Sequence, residues 1–490
     1  MARIDILLSD RIGTVQPMLH GHFAEHLGNC IYEGIWEDGA LCADVVEAIR
    51  QLRPPVIRWP GGCFADDYHW RDGIGPVADR PRRVNIHWGN VIETNTFGTH
   101  EFVRLCREVG AQTYLAGNVG SGSPQELRDW VEYCNYPGGS SLSDERGRNG
   151  DPAPLRVKYW GVGNENWGCG GQMTPEDYAA EYRRHSTYLR DFGETPLFLI
   201  ACGPNSNDLD WTRRFFDHLH RSYRPHRRIH GYAAHYYCGT AGTATVYSEG
   251  QWYELLRKAA LVEQLIVQQR QLMDEYDPDR RIALILDEWG TWHPPTPGRN
   301  PAFLWQQNTL RDGLVAGLTL DAFHRQADKL FMANIAQLVN VLQAPILTEK
   351  GKVIRTPTYH AFDLYRGHQG GESVRTEIDA PAILFTHENQ MHRLPGLTGS
   401  ASIKGRTLTL TVVNPRIGEP APASIHLRGE ATAAIVRETV LTHDDIQAHN
   451  TAEAPDVVKL SDPRVLPLSG GSFEYIFAAQ SVTRLEMSLV

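Results

Sequence analysis

Two glutamates in this chain sit in closely similar local settings. Glu165 lies in Trp160-Gly161-Val162-Gly163-Asn164-Glu165-Asn166-Trp167-Gly168. The stretch before it, Leu155-Arg156-Val157-Lys158-Tyr159, alternates apolar and basic residues and predicts a strand. The stretch after it, Thr174-Pro175-Glu176-Asp177, reads as a helix start, with Thr174 as cap and Pro175 at the first helical position. Glu288 lies in Ile282-Ala283-Leu284-Ile285-Leu286-Asp287-Glu288-Trp289-Gly290. Both acids therefore stand at the C-terminal end of a strand, beside tryptophan. A lone glutamate at a strand end is usually a solvated charge. Two of them in Asn-Glu-Asn-Trp and Asp-Glu-Trp-Gly contexts point instead to a carboxylate pair acting on a sugar.

What must position this pair is a series of strand–helix units. Strand-like runs end at His22-Phe23-Ala24-Glu25, Val56 to Gly62, Gln112 to Asn118, Asn164-Glu165, Leu197 to Gly203, Gly231 to Tyr237, Asp287-Glu288 and Lys329 to Ile335. Helical stretches are expected at Ala40 to Leu52, Gly98 to Val109, Pro124 to Tyr133, Thr174 to Phe192, Leu209 to Leu219, Trp252 to Tyr276, Leu310 to Phe323 and Pro357 to Tyr365. Eight such units in succession predict an α/β fold, a (β/α)8 TIM barrel, over residues 15–370. A doubly wound sheet would carry a Gly-x-Gly-x-x-Gly turn after an early strand, and the sequence has none. Residues 137–154, rich in Gly, Ser, Asp and Pro, read as a long loop.

After about Gly371 the helical period stops. Short β-rich runs punctuated by Gly, Pro and Asn predict a C-terminal β-sandwich over residues 371–490. The N-terminal residues 1–14, in which Arg3 and Asp5 alternate with Ile4 and Ile6, form a strand expected to join that sandwich.

Composition narrows the class. With 490 residues, 41% hydrophobic and 22% charged, the chain is a core-forming protein of at least two domains. A net charge of −10 with mixed signs argues against a nucleic-acid binder and against a polybasic membrane anchor. No apolar run is long enough for a signal peptide or a transmembrane helix, so the expected location is cytoplasmic. The eight cysteines form no Cys-x-x-Cys pair, and in a reducing compartment all eight are expected as free thiols. His20, His22 and His26 come without a His-Glu-x-x-His motif, so no metal site is expected. Gly61-Gly62 lacks the Lys-Ser/Thr of a phosphate loop and reads as a tight turn.

Polar residues at strand ends of such a barrel face the active site. Here they are Glu25, Asn118, Asn164, Glu165, His235, Tyr237, Glu288 and Asn334. Longer strings then become informative. They include His22-Phe23-Ala24-Glu25-His26-Leu27-Gly28, Arg58-Trp59-Pro60-Gly61-Gly62-Cys63-Phe64 and Glu93-Thr94-Asn95-Thr96-Phe97-Gly98. Asn164-Glu165-Asn166-Trp167-Gly168-Cys169-Gly170-Gly171, Leu286-Asp287-Glu288-Trp289 and Ala333-Asn334-Ile335-Ala336-Gln337 follow in order. Together these strings resemble the glycoside hydrolase family 51 α-L-arabinofuranosidases across the whole barrel. His449-Asn450-Thr451 with Pro455-Asp456-Val457 extends the resemblance into the sandwich.

The resemblance implies a retaining, exo-acting glycosidase with Glu165 as acid/base and Glu288 as nucleophile. Glu25 would bind sugar hydroxyls, Asn164 the 2-hydroxyl and Gln337 the ring. Tyr237 would hold the nucleophile, and His235 would support the acid/base. Cys63 would be a pocket thiol, Trp88 an aromatic wall that could equally be ordinary packing, and Asn205 a weaker contact. It further implies substrates that are arabinan or arabinoxylan oligosaccharides, no cofactor, and a homo-oligomer, often a hexamer. A β-xylosidase or endo-β-glucanase on the same barrel is the nearest alternative enzyme. A catalytically idle carbohydrate-binding protein is the alternative from another class, and the intact acids with their flanking amides and tryptophans argue against it.

Overall fold

The computed structural model describes residues 1–220, 228–239 and 241–490. Its centre is a closed barrel of eight parallel strands. In chain order these are Gly21–Phe23, Val56–Trp59, Gln112–Gly117, Tyr159–Val162, Phe198–Asn205, Gly231–Tyr237, Ala283–Gly290 and Leu330–Ala336, the last pairing with the first. Nearly every residue of these strands is buried, because helices cover the outer face and side chains fill the inner one. Val56, Tyr114, Tyr159, Ile200, Ala233, Ile285 and Met332 pack together as an inner apolar plug from seven strands. The barrel is thus a filled core, and a site can open only at its mouth.

Local chemistry explains the connecting helices. Pro175–Ser186 starts with Thr174 accepting from the Asp177 N–H, with Asp177 reaching back to the Thr174 backbone. Ser248 caps Glu249–Ala260 in the same reciprocal way with Gln251, and Ser123 caps Pro124–Asn135 by accepting from the Glu126 N–H. Two expectations are corrected. Residues 137–154 are not all loop: Ser140 caps a helix over Ser141–Arg148, whose Arg146 side chain donates to the carbonyls of Tyr133 and Tyr136. That helix is short and polar, so its periodicity gave no signal. The expected single helix over Trp252 to Tyr276 is two, Glu249–Ala260 and Val262–Tyr276, broken at Leu261.

The C-terminal strands form a nine-stranded sheet that includes the N-terminal strand Ala2–Thr14. That strand pairs antiparallel with Glu372–Asp379 and parallel with Ala421–Arg428, so it lies inside the sheet rather than at an edge. Its inward residues Ile4 and Ile6 join Val412, Ile425, Leu485 and Met487 in one apolar core. The helix Leu310–Arg325 joins the two domains. It is buried almost all round because Gly313 and Gly317 let Leu441, Val413 and Val482 of the sandwich press against it. Its Asp321 accepts from Ser400 and Thr411 of the sandwich.

The N-terminal strand thus contributes to a core 370 residues away in sequence. Replacing Ile6 by Ala should cost about 2–5 kcal/mol through the lost methyl groups and the cavity left behind. The check is a lowered urea midpoint for sandwich unfolding; an unchanged midpoint would show that the strand is peripheral.

Candidate active site

The mouth of the barrel gathers the two acids. Glu288 is the penultimate but one residue of the seventh strand and pairs in register with His235 on the sixth. Glu165 follows the fourth strand by three residues, in a left-handed backbone conformation with φ of 42°. Such a conformation at a residue other than glycine costs about 1–3 kcal/mol and is held only by its surroundings. One oxygen of each acid and one ring nitrogen of His235 lie within 4.8 Å of one another. His235 Nδ1 is 2.8 Å from Glu165 Oε1 and 3.5 Å from Glu288 Oε2.

Glu288 is fully engaged. Arg58 donates to its Oε1 at 2.7 Å, and the Tyr237 hydroxyl donates to its Oε2 at 2.8 Å. Burial alone would raise its pKa, but His235, Arg58 and the hydrogen bonds from Arg58 and Tyr237 outweigh burial and hold it below the ordinary value. His235 shows the reciprocal effect. Burial disfavours its cation, yet the charges on Glu288 and Glu165 raise its pKa.

Glu25 lies beyond the end of the first strand. Its Oε1 accepts from the Phe64 N–H and from Trp88 Nε1, each at 3.0 Å, and its Oε2 accepts from Gln337 Nε2 at 2.9 Å. Burial, with the Glu288 charge adding to it, pushes Glu25 up to about 7 against these hydrogen bonds. Gly61 and Gly62 are explained by space. A Cβ on Gly61 would stand 2.9 Å from Glu25 Oε1, and one on Gly62 would stand 2.9 Å from Glu288 Oε1. The turn is glycine because two carboxylates press against it.

Most of the residues named from sequence therefore come together. Glu25, Cys63, Trp88, Glu165, Tyr237, Glu288 and Gln337 line one cleft. Asn164 and His235 are buried directly behind the acids. Asn205 is not brought in: its side chain is exposed and accepts from Ser206. Asn118 and Asn334 are buried in support, Asn118 accepting from Ser121 and Gly122, and Asn334 donating to Asp287. The early histidines have separate partners, although the rings of His20 and His22 both pack on Phe362. His20 bonds His324, His22 packs on Phe362, and His26 bonds Glu93.

Cys63 corrects the expectation of eight free thiols. It forms a disulfide with Cys169, bridging the loops after the second and fourth strands, and the other six cysteines are free. Cys63 is therefore not a thiol donor. Glu165 Oε2 lies 3.9 Å from its sulfur and 3.5 Å from that of Cys169. The two cysteines are 106 residues apart in sequence and form no short motif, so only the fold pairs them.

Sequence reasoning also missed Arg58 and Trp292. Arg58 is buried in the second strand; it stands in one of the family-like strings, but the sequence reading gives it no role. It contacts Asp287 at 3.3 Å as well as Glu288, and donates to Asn164 Oδ1. A buried cation between two acids is the signal that could have exposed it. Trp292 stands edge-on to Tyr237 at 5.1 Å and lines the cleft together with Trp88 and Glu25. With Trp88 it gives the polar cleft two aromatic surfaces, which suit the apolar faces of a sugar.

Comparison with known proteins agrees with this geometry. Residues 48–239 match the family model described as α-L-arabinofuranosidase 1 domain, and residues 287–481 match the α-L-arabinofuranosidase C-terminal domain. The intracellular exo-α-L-arabinofuranosidase of Bacteroides ovatus is 41% identical over 482 residues, covering 96% of this chain and 92% of that protein. The chain belongs to the family 51 α-L-arabinofuranosidases. It is a glycoside hydrolase with exo-α-L-arabinofuranosidase activity. The intracellular exo-α-(1→5)-L-arabinofuranosidase 1 of Bacillus subtilis is 30% identical, covering 94% of each chain. The crystal structure of the GH51 arabinofuranosidase from Xanthomonas axonopodis pv. citri superposes with a TM-score of 0.93 at 38% identity, covering all of both chains.

Denatured, unreduced arabinofuranosidase should expose six titratable thiols, and reduction should raise the count to the eight cysteines of the sequence. Eight before reduction would contradict the Cys63–Cys169 bridge.

Proposed function

We propose that this arabinofuranosidase retains anomeric configuration, with Glu288 as nucleophile and Glu165 as acid/base. The observation that carries this reading is the carboxylate spacing. Oxygens of the two acids lie within 4.8 Å of each other. A retaining pair stands roughly 5–5.5 Å apart, whereas an inverting pair needs roughly 6.5–9.5 Å to admit a water.

The environments of the acids support their separate roles. Glu288 is held ionised by Arg58, His235 and Tyr237, as a nucleophile must be. Glu165 shares His235, whose Nδ1 is 2.8 Å from its Oε1, but among the described residues no arginine pairs with it as Arg58 does with Glu288. In the first step Glu288 attacks the anomeric carbon while Glu165 gives a proton to the departing glycosidic oxygen. The products are a free alcohol and an arabinosyl ester on Glu288. In the second step Glu165, now ionised, takes a proton from water as that water attacks the same carbon. The ester bond breaks, arabinose leaves with retained configuration, and both acids return to their starting states.

Substrate contacts follow from groups left with capacity to bond. Asn164 Nδ2 and Gln337 Oε1 are buried without a partner among the described residues, a state that sugar hydroxyls would satisfy. Asn164 sits beside the reacting centre and suits the 2-hydroxyl, a contact that strengthens in the transition state. Glu25, Gln337 and Trp88 would bind the rest of the ring, while Trp292 would stack on the departing sugar. Arabinan or arabinoxylan oligosaccharides are the proposed substrates, and the (1→5) linkage in the name of the Bacillus relative favours arabinan. The names of both relatives support an intracellular site of action. A homo-oligomer without metal or cofactor completes the proposal, since two carboxylates suffice for both steps.

Azide separates the roles. The Glu165→Ala variant should lose about 10²–10⁴-fold on substrates with poor leaving groups. With an activated aryl arabinofuranoside, azide should rescue it and yield the azide of retained configuration. In Glu288→Ala, azide should yield the inverted product. Proton NMR reads the outcome, and the opposite stereochemistry would exchange the roles. A second check concerns pH. Arg58→Met removes a cation that lowers the Glu288 pKa, and the ionised form is the active one. The acid limb of kcat/KM should therefore move to higher pH; a stationary limb would refute the pairing.

A further inference from the structure

We propose that Asp66 is the positioning residue for the acid/base, acting by binding the N–H donors on both sides of Glu165. The proposal rests on the reading of Glu165 as acid/base. Asp66 ends the short turn Cys63–Asp66 after the second strand and does not line the cleft. It is buried, yet no cation touches its carboxylate among the described residues. Four N–H donors converge on it instead. Oδ1 accepts from the backbone of Val119 at 2.6 Å and of Gly120 at 2.8 Å. Oδ2 accepts from the Asn164 backbone at 2.7 Å and from Asn166 Nδ2 at 3.3 Å. The Asp66 carbonyl also accepts from the backbone and hydroxyl of Ser121, both at 3.0 Å.

The donors on Oδ2 belong to the residues immediately before and after Glu165. Asn164 and Asn166 are thereby fixed to one carboxylate, and the left-handed backbone of Glu165 between them cannot relax without breaking those bonds. The same anchor holds Asn164, whose side chain reaches Arg58. Two glycines make room for it. A Cβ on Gly120 would stand 2.9 Å from the Asp66 backbone oxygen, and one on Gly170 would stand 2.5 Å from Asp66 Oδ2. Burial pushes the Asp66 pKa up to about 7 against the hydrogen bonds from Gly120, Val119 and Asn164 and the charge of Arg58. A buried acid with that burden and no place in the cleft is explained by what its acceptor oxygens hold.

Asp66→Asn keeps the size but turns one acceptor into an NH2 that faces N–H donors. If Asp66 aims Glu165, the loss should depend on how much the leaving group needs a proton. For the 2,4-dinitrophenyl arabinofuranoside, kcat/KM should stay within about 5-fold of wild type, while for the methyl arabinofuranoside it should fall about 100-fold. Asn166→Ala removes one of the four donors and should show a smaller loss with the same dependence. Equal losses on both substrates, or no loss, would overturn the proposal. Should Asp66→Asn not fold, Asn166→Ala decides by the same criterion. Glu165→Ala is the control: if it too is independent of leaving group, the acid/base reading itself has failed; if it is steep while the Asp66 and Asn166 variants are flat, only the positioning role has.

Discussion

The site depends on a guanidinium that water cannot reach. Arg58 is fully buried inside the barrel, over the Phe23 ring at 4.6 Å. A charge in that position is tolerable only if counter-charges and acceptors surround it. Asp287, Glu288 and Asn164 supply them from the seventh strand and the loop after the fourth. Tyr114 and Asn334 complete the network by donating to Asp287 at 2.7 and 2.9 Å. The arrangement fixes the orientation of Glu288 and stabilises its anion in one step. Removing one partner from such a buried set typically costs about 3–5 kcal/mol, because the remaining charge is left uncompensated.

His235 and Tyr237 come from the sixth strand, while loops place most of the other groups and hold one another. Residues after the second strand supply Gly61, Gly62, Cys63 and Asp66, which contact or approach Glu25, Glu288, Cys169 and the backbone around Glu165. The hairpin of Arg83–Asn85 and Val91–Glu93 carries Trp88 to Glu25. It is anchored through Glu93, which binds His26 at 2.9 Å and accepts from Tyr32 and the Asn95 N–H. Sugar-facing side chains are thus held by buried polar bonds between segments far apart in sequence. Pre-orientation of this kind lets binding energy act on the transition state instead of being consumed in ordering the site.

The sandwich has no side chain in the cleft, but it is not a loose appendage. It presses on the helix Leu310–Arg325 that follows the Glu288 strand, and the N-terminal strand runs through the middle of its sheet. Gln307 donates to the Asn450 carbonyl, and Trp252 of the helix Glu249–Ala260 donates to that of Pro415, so barrel and sandwich share hydrogen bonds as well as apolar contact. The chain enters through one domain, builds the other, and returns. Neither can unfold without exposing surface that belongs to both.

By itself the sequence determined the barrel and the sandwich, and it singled out the two acids that the fold brings together. These depend on information written locally: periodicity of apolar residues, caps such as Thr174, and strand ends marked by Glu165 and Glu288. The alternation of Arg3 and Asp5 with Ile4 and Ile6 marked the first residues as a strand, because a half-buried strand repeats every second residue, and its place before the barrel pointed to the sandwich. What only the tertiary structure decided was contact between distant segments. The Cys63–Cys169 bridge joins residues 106 apart. Arg58 has no role in the sequence reading, and gains one because Glu288 and Asn164 close on it. Asp66 and Asp67 are indistinguishable as letters, yet one is buried under four N–H donors while the other faces the surface. Asn205, at a strand end like the others, points away from the cleft. Local pattern says which face of an element is apolar; it does not say which partner a charge will meet. That depends on three-dimensional proximity, and burial makes the choice decisive because an unmet charge or donor in the interior is costly.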